Sequence, residues 1–418
     1  MPKLKIVGGR RLSGEIVVDG AKNSAVALIP ASILCDETVE INNVPDISDI
    51  DALEEILDYL GVKVERSKHS IVFNDTKIDN KFIPCSMSGK LRASYYFMGA
   101  ILGKYKHVDM CFPGGCSIGE RPINLHLKGF EKLGAVVRED DGRVIIDADE
   151  LVGAEIFLDF PSVGATINII LAAVKARGKT VIDNAAKEPH VIDVCNFLNS
   201  MGACISGIGT GRIEIIGVDH LHATKHNVVP DMIEAGTYVI IASLLGKNLK
   251  VSNLEPLHIE SLTSKLEEAG VNLEIGDDYI SVADVGEYKG IDIKTMVYPG
   301  FPTDLQQPMT PFLVSCEGIS HIEETIWENR FQNVADTIKM GASIEVSSDN
   351  KVATIYGSSK LVGKEVSATD LRGGASMVIC GLIAEGETII DNISYILRGY
   401  DDIVGKLNRV GADIKIVD

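Results

Sequence analysis

Hydrophobic and polar positions along the chain alternate between two textures. The first is an amphipathic helix end, a glycine, a small residue and then a strand with period-two alternation: "LDYLGVKVE", "FEKLGAVVRE", "FLNSMGACIS", "LEEAGVNLEI", "TIKMGASIEV" and "LNRVGADIKI". The glycines of these six copies, Gly61, Gly134, Gly202, Gly270, Gly341 and Gly411, are separated by 73, 68, 68, 71 and 70 residues. That spacing is regular, and too long for a solenoid repeat. Each glycine suits the left-handed position that closes a helix. The second texture is an apolar stretch, a small polar turn and a strand, as in "IPASILCDETVEINN", "IILAAVKARGKTVIDN", "YVIIASLLGKNLKVSN" and "VICGLIAEGETIIDN". Several of these stretches carry no polar face, which predicts helices buried inside a ring of sheets.

Each repeat of about 70 residues therefore holds two helices and several strands, an α/β organisation, and six repeats make two pseudo-symmetric domains of three. The first apolar helix begins near Lys22, and "HNVVPDMIEAGTYV" opens the fourth repeat. The predicted domains are residues 22–229 and residues 1–21 plus 230–418, with the leading segment paired into the second half. A ligand site is expected in the cleft between the domains, where helix N-termini can face anions.

Composition narrows the function. The 418 residues are 45% apolar and 24% charged, as in an ordinary globular protein. A net charge of −19 repels polyanions, and no Lys/Arg-rich tract offers a nucleic-acid footprint, so no nucleic-acid partner is expected. The N-terminus has no signal-like apolar stretch and no run approaches 18 apolar residues, so a cytoplasmic protein without a membrane partner is expected. The eight cysteines lack zinc-type pairs and disulfide-scaffold spacing, which predicts reduced, mainly buried thiols. The nine histidines form no ligand motif, so no metal is expected.

Candidate chemistry sits in short motifs. "PGGCSIGERP" puts Cys116 in a turn-rich run beside Arg121 and Pro122, as either a reactive loop thiol or a small residue under a turn. "DGAKNSA" places Lys22 and Asn23 before the first buried helix, where Lys22 is either an anion ligand or a solvated surface lysine. Arg92, Arg121, Arg372 and Arg398 are expected at strand-to-helix junctions, as grips for carboxylate and phosphate or as helix-capping or surface residues. "FPTDLQQP" sets Asp304 between two prolines in an expected loop, and "SATDLR" sets Asp370 two positions before Arg372. Either carboxylate is a candidate general base, although Asp370 by itself reads first as a helix N-cap.

Taken together, "GEIVVDGAKNSA", "PGGCSIGERPINLH", "SVGAT", "FPTDLQ", "ENRF", "ATDLR" and "RGYDDI" resemble, in order and over essentially the whole chain, the UDP-N-acetylglucosamine enolpyruvyl transferases of the EPSP synthase superfamily. The resemblance implies a two-domain inverted α/β barrel built from six βαβαββ-type units. It also implies a reaction that needs no cofactor: transfer of the enolpyruvyl group of phosphoenolpyruvate to the 3′-hydroxyl of UDP-N-acetylglucosamine, the first committed step of peptidoglycan synthesis, in a monomer or weak homo-oligomer. It casts Cys116 as proton donor to C3 and as the thiol alkylated by fosfomycin. Lys22, Arg121 and Arg398 become the phosphate clamp, Arg372 and Arg330 the carboxylate end, Asp304 the base at the sugar hydroxyl and Asp370 a participant in proton removal. Asn23, Arg92, Pro122, Ile123, Asn124, Leu125, His126, Ser162, Val163, Gly164, Ala165 and Ile326 line the UDP-sugar side. Phe160 and Pro161 before "SVGA", and Met232, depart from the pattern, each standing where some members carry a basic residue, which bears on nucleotide affinity. The shikimate-pathway enolpyruvyl transferase and a non-catalytic UDP-sugar-binding homologue are the alternatives. The first is disfavoured by the cysteine loop, the second by the full set of acid, base and clamp residues.

Overall fold

The computed structural model describes residues 2–114 and 123–418. Cys116, Arg121 and Pro122 lie outside the described residues. The chain divides at Asp19/Gly20 and Val229/Pro230 into two compact units, one within Gly20–Val229 and the other formed by the N-terminal segment with Pro230–Asp418.

Among the described residues the six repeats appear as six sheets, three in each unit. The third repeat shows the full order: strand Glu155–Phe157, helix Val163–Ala173, strand Lys179–Asp183, helix Pro189–Ser200 and the hairpin Cys204–Ser206 with Arg212–Ile216. Its first two strands pair in parallel across the buried helix, and the hairpin adds antiparallel strands. In the second unit the strand Lys3–Val7 lies antiparallel between Glu387–Asp391 and Ile414–Val417. The strand Leu12–Val17 pairs in parallel with Gly246–Ser252. The N-terminal segment thus completes two sheets that the C-terminal half leaves short of a strand.

The apolar stretches become helices packed on nearly all sides. Lys22–Ala31 is buried from Ser24 onward, Val163–Ala173 from Gly164 onward, and Met232–Leu245 over most of its length. Their uniform apolarity suits a position between sheets rather than on one face. All six repeat glycines adopt positive φ, from 90° at Gly61 to 115° at Gly341, each within two residues of a helix end. Among the described residues no helix is long and apolar enough to cross a membrane.

Three local expectations are corrected. Asp304 belongs to the helix Thr303–Ser315, which runs through Pro308 and Pro311. Each proline removes one helical N–H, but burial of Leu305 to Val314 outweighs that loss. Among the described arginines expected at strand-to-helix junctions, Arg372 alone occupies one, following the strand Glu365–Ser367. Arg92 opens a 3-10 turn after the short helix Cys85–Ser88, and Arg398 follows the short helix Ser394–Leu397. Finally, Cys85 and Cys111 form a disulfide, with Cα atoms 5.0 Å apart, rather than two thiols. Parallel pairing of Ile83 with Met110 brings the two chain segments together, a proximity that a 26-residue separation in sequence does not reveal. Cys35, Cys195, Cys316 and Cys380 are free and buried, and Cys204 is free and exposed.

Candidate active site

In the unit within Gly20–Val229, Lys22 is the first residue of its helix and points its Nζ at Asp49 Oδ2, 2.9 Å away. Its side chain is 14% exposed and that of Asp49 only 4%, so Lys22 is a largely desolvated, paired cation rather than a surface lysine. The turn before it depends on Gly20, where a Cβ would sit 1.7 Å from the Asn43 carbonyl oxygen. Asn43 in turn donates from Nδ2 to Val228 O at 2.8 Å, tying this turn to the end of the unit. Asn23 is half-buried in the first turn of the Lys22 helix.

A second group surrounds His126. Asn168 accepts the Gly99 N–H at Oδ1 (2.9 Å), which fixes its amide orientation. Its Nδ2 therefore donates to His126 Nδ1 at 2.8 Å, and the neutral imidazole carries its proton on Nε2. Burial, reinforced by the charge of Arg92, pushes the imidazole down to about 3. The Tyr95 ring meets the imidazole edge to face with centroids 4.9 Å apart. A Cβ on Gly164 would fall 2.8 Å from the imidazole and 2.9 Å from the Tyr95 hydroxyl, so only glycine fits at the start of that helix. Ser162 caps the same helix by accepting from Ala165 N. Val163 is half-buried and Ala165 fully buried. Arg92 donates to Pro113 O at 3.2 Å and lies over the Tyr95 ring. Ile123 caps the helix Asn124–Lys132, on which Asn124 is exposed, Leu125 half-buried and His126 buried. Phe160 is exposed and Pro161 half-buried just ahead of Ser162.

The other unit gathers the carboxylates. Asp304 lies between two buried arginines: Arg330 Nη2 is 2.6 Å from Oδ1, and Arg372 Nη2 is 3.0 Å and Nε 3.1 Å from Oδ2. Asp370 is the N-cap of the helix Leu371–Ile383, accepting from Arg372 N (2.8 Å) and Gly373 N (3.1 Å). Its second oxygen accepts from Gln307 Nε2 at 3.0 Å, so the two helices that carry Asp304 and Asp370 are joined by a buried side-chain bond. Arg398 is half-buried. Met232 is the first residue of its helix and packs against the core of this unit, while Asp231 caps that helix.

Several partners of these residues are set by contacts between elements. Asp49 holds Lys22. Buried Glu324 accepts from Thr295 Oγ1, Thr303 Oγ1 and the amides of Ile326 and Trp327, thereby placing Ile326 and the residue before Asp304. Tyr400 meets Arg372 Nη1 at 3.3 Å. Gln307 and Tyr400 stood inside the quoted motifs. Asp49 and Glu324 carried no signal, since their roles come from contacts across elements.

A family model described as EPSP synthase (3-phosphoshikimate 1-carboxyvinyltransferase) matches residues 6–407, and the chain belongs to that family. Among similar solved structures are the enolpyruvyl transferase NikO from Streptomyces tendae and an EPSP synthase from Acinetobacter baumannii. The first has TM-score 0.89 and 25% identity, covering 100% of this chain and 99% of that one. The second has TM-score 0.76 and 18% identity, covers 100% of both chains and speaks to the fold alone. Within the family the branch is that of the UDP-N-acetylglucosamine 1-carboxyvinyltransferases. A Listeria monocytogenes relative named UDP-N-acetylglucosamine 1-carboxyvinyltransferase 2 is 50% identical over 99% of this chain and 97% of its own. One of the same name from Staphylococcus aureus strain MRSA252 is 51% identical over 98% of each chain.

Proposed function

We infer that the chain transfers the enolpyruvyl group of phosphoenolpyruvate to the 3′-hydroxyl of UDP-N-acetylglucosamine and releases phosphate. The observation that carries this is identity of about half the residues, over nearly the full length, with relatives named for that carboxyvinyl transfer. The sugar oxygen bonds to C2 of phosphoenolpyruvate while C3 gains a proton. Loss of a proton from the resulting C3 methyl group and cleavage of the C2–O bond to phosphate then restore the double bond. The protein's task is proton movement and stabilisation of charge on phosphate and carboxylate. The acidic chain serves peptidoglycan synthesis, and both substrates are phosphorylated anions that do not cross a bilayer unaided, which supports a cytoplasmic location.

Residue roles follow the motifs. Cys116 donates the proton to C3. Lys22, Arg121 and Arg398 hold the phosphate, and Arg372 with Arg330 the carboxylate. Asp304 receives the proton of the sugar hydroxyl, and Asp370 takes part in the second proton removal. For Lys22, its low exposure beside Asp49 supports an electrostatic role, because a desolvated ammonium interacts more strongly than a solvated one. For Asp304, the two guanidiniums hold the carboxylate in place, so acting as a base requires at least one of them to turn toward substrate. Asn23, Arg92, Pro122, the residues Ile123 to His126, Ser162 to Ala165 and Ile326 serve the UDP-sugar.

Phosphate release by the purified protein tests the reading. UDP-N-acetylglucosamine should support turnover with phosphoenolpyruvate and shikimate 3-phosphate should not. The reverse preference would move the chain to the shikimate-type reaction, and no release with either acceptor would favour a binding protein.

A further inference from the structure

We propose that Tyr400 is a positioning residue for enolpyruvyl transfer, holding the Arg372 guanidinium in one orientation through a directed relay of hydrogen bonds that runs through Thr237 to the Ile233 carbonyl. The inference rests on the reading of Arg372 as the residue that meets the carboxylate of phosphoenolpyruvate.

Proton directions in the relay are determined by the partners. Thr237 Oγ1 donates to Ile233 O, one helical turn back, at 2.8 Å. Having spent its proton, that oxygen faces Tyr400 Oη at 2.9 Å as an acceptor. The tyrosine hydroxyl therefore donates to Thr237, which leaves its own lone pairs for Arg372 Nη1, a group that can only donate. Every member is buried: Tyr400 and Thr237 are 1% exposed and Arg372 3%. Desolvation raises the hydroxyl of Tyr400 above its ordinary value, against the pull of Arg372, so it keeps the proton that the relay requires.

The relay gives Arg372 a hold independent of Asp304. One edge of the guanidinium, Nε and Nη2, faces Asp304, while Nη1 faces Tyr400. Asp304 is shared with Arg330 and is itself nominated to receive a proton. An arginine oriented by that carboxylate alone would lose its aim whenever Asp304 changed charge or partner. Tyr400 is braced instead against the helix Met232–Leu245, whose Thr237 and Ile233 take no part in the chemistry. The backbone of Arg372 is pinned separately, by Asp370.

Tyr400→Phe deletes one oxygen and keeps the ring. Steady-state phosphate release should show kcat/KM for phosphoenolpyruvate reduced about 10- to 100-fold, the range for losing a hydrogen bond to a buried charge. The KM for UDP-N-acetylglucosamine should stay within about twofold, and the melting temperature should fall by only several degrees, because the same buried bond is lost from the folded state. Thr237→Val should act in the same direction, Thr237→Ser should restore wild-type parameters, and the double variant should be no worse than Tyr400→Phe, because both sever one relay. A Tyr400→Phe enzyme with wild-type phosphoenolpyruvate parameters, or with equal losses for both substrates, overturns the proposal. If that variant does not fold, Thr237→Val against Thr237→Ser decides on the same criteria. Arg372→Lys separates the two readings: if it leaves phosphoenolpyruvate use intact, the assignment of Arg372 fails and the relay has no catalytic object. If it abolishes use while Tyr400→Phe is silent, Tyr400 alone is excluded.

Discussion

Replacing His126 with asparagine should change how the stability of the Gly20–Val229 unit depends on pH. Asparagine keeps an acceptor near the position of Nδ1, so Asn168 retains a partner, but it cannot take a proton. An unfolded histidine binds a proton at about 6.5, whereas burial and Arg92 hold the folded imidazole neutral down to about 3. Between those values the unfolded chain binds more protons. The stability that His126 contributes is complete above pH 6.5 and is lost as pH falls toward 3. From pH 6.5 to pH 4 the loss is about two and a half pH units, or about 3 kcal/mol at 1.36 kcal/mol per unit. Two units need not unfold together, so a local probe is required. Hydrogen-exchange protection of the helix Val163–Ala173, which carries Asn168, reports this site. Compared at the same pH, intrinsic exchange rates cancel between the two proteins. At pH 7 the wild type should be better protected, since the variant leaves a small void. On going to pH 4 the ratio should move about two orders of magnitude or more in favour of His126→Asn. A ratio that stays constant from pH 7 to pH 4 would refute the neutral state of the folded imidazole.

The opposite dependence is expected in the other unit. Burial, offset by Lys406 at 2.6 Å and reinforced by Asp19, pushes Glu234 up to about 7, so its folded form binds the proton first, and stability falls as pH rises from about 4.5 to 7, by about 3 kcal/mol. Glu234→Gln should therefore gain protection on wild type in the helix Met232–Leu245 between pH 5 and 8, and parallel pH curves would contradict this. Digestion without reductant should yield a linked Cys85–Cys111 peptide pair, and Cys85→Ser should lower stability by about 3 kcal/mol from loop entropy; recovering both residues as thiols would count against the bond. If Cys116 acts as an acid, Cys116→Ser, too weak a donor, should be nearly inactive, while Cys116→Asp should keep substantial turnover and resist fosfomycin; an active serine variant would remove the proton-donor role. Lys22→Ala should cut phosphoenolpyruvate use far more than it lowers the melting temperature, and a large melting shift with unchanged turnover per folded molecule would make Lys22 structural.

The sequence by itself determined the repeat and much of the local conformation. Six glycines at near-equal spacing must close helices in the left-handed region, because other residues pay a steric cost there, and all six do. Stretches with no polar face have to be covered on all sides, and they are. Asp370 before an apolar helix is an N-cap for reasons contained in its own neighbourhood. What the tertiary structure decided are the matters settled by contact between distant segments. The prolines of "FPTDLQQP" argue locally against helix, but burial of Leu305 to Val314 reversed that preference. The Cys85–Cys111 bond depends on the isolated bridge between Ile83 and Met110, which brings together segments whose cysteines are 26 residues apart. Asp304 between Arg330 and Arg372, Lys22 on Asp49 and Tyr400 between Arg372 and Thr237 join residues 26 to 163 positions apart. No propensity encodes such pairings, because each is fixed by the packing of elements whose own formation is indifferent to it.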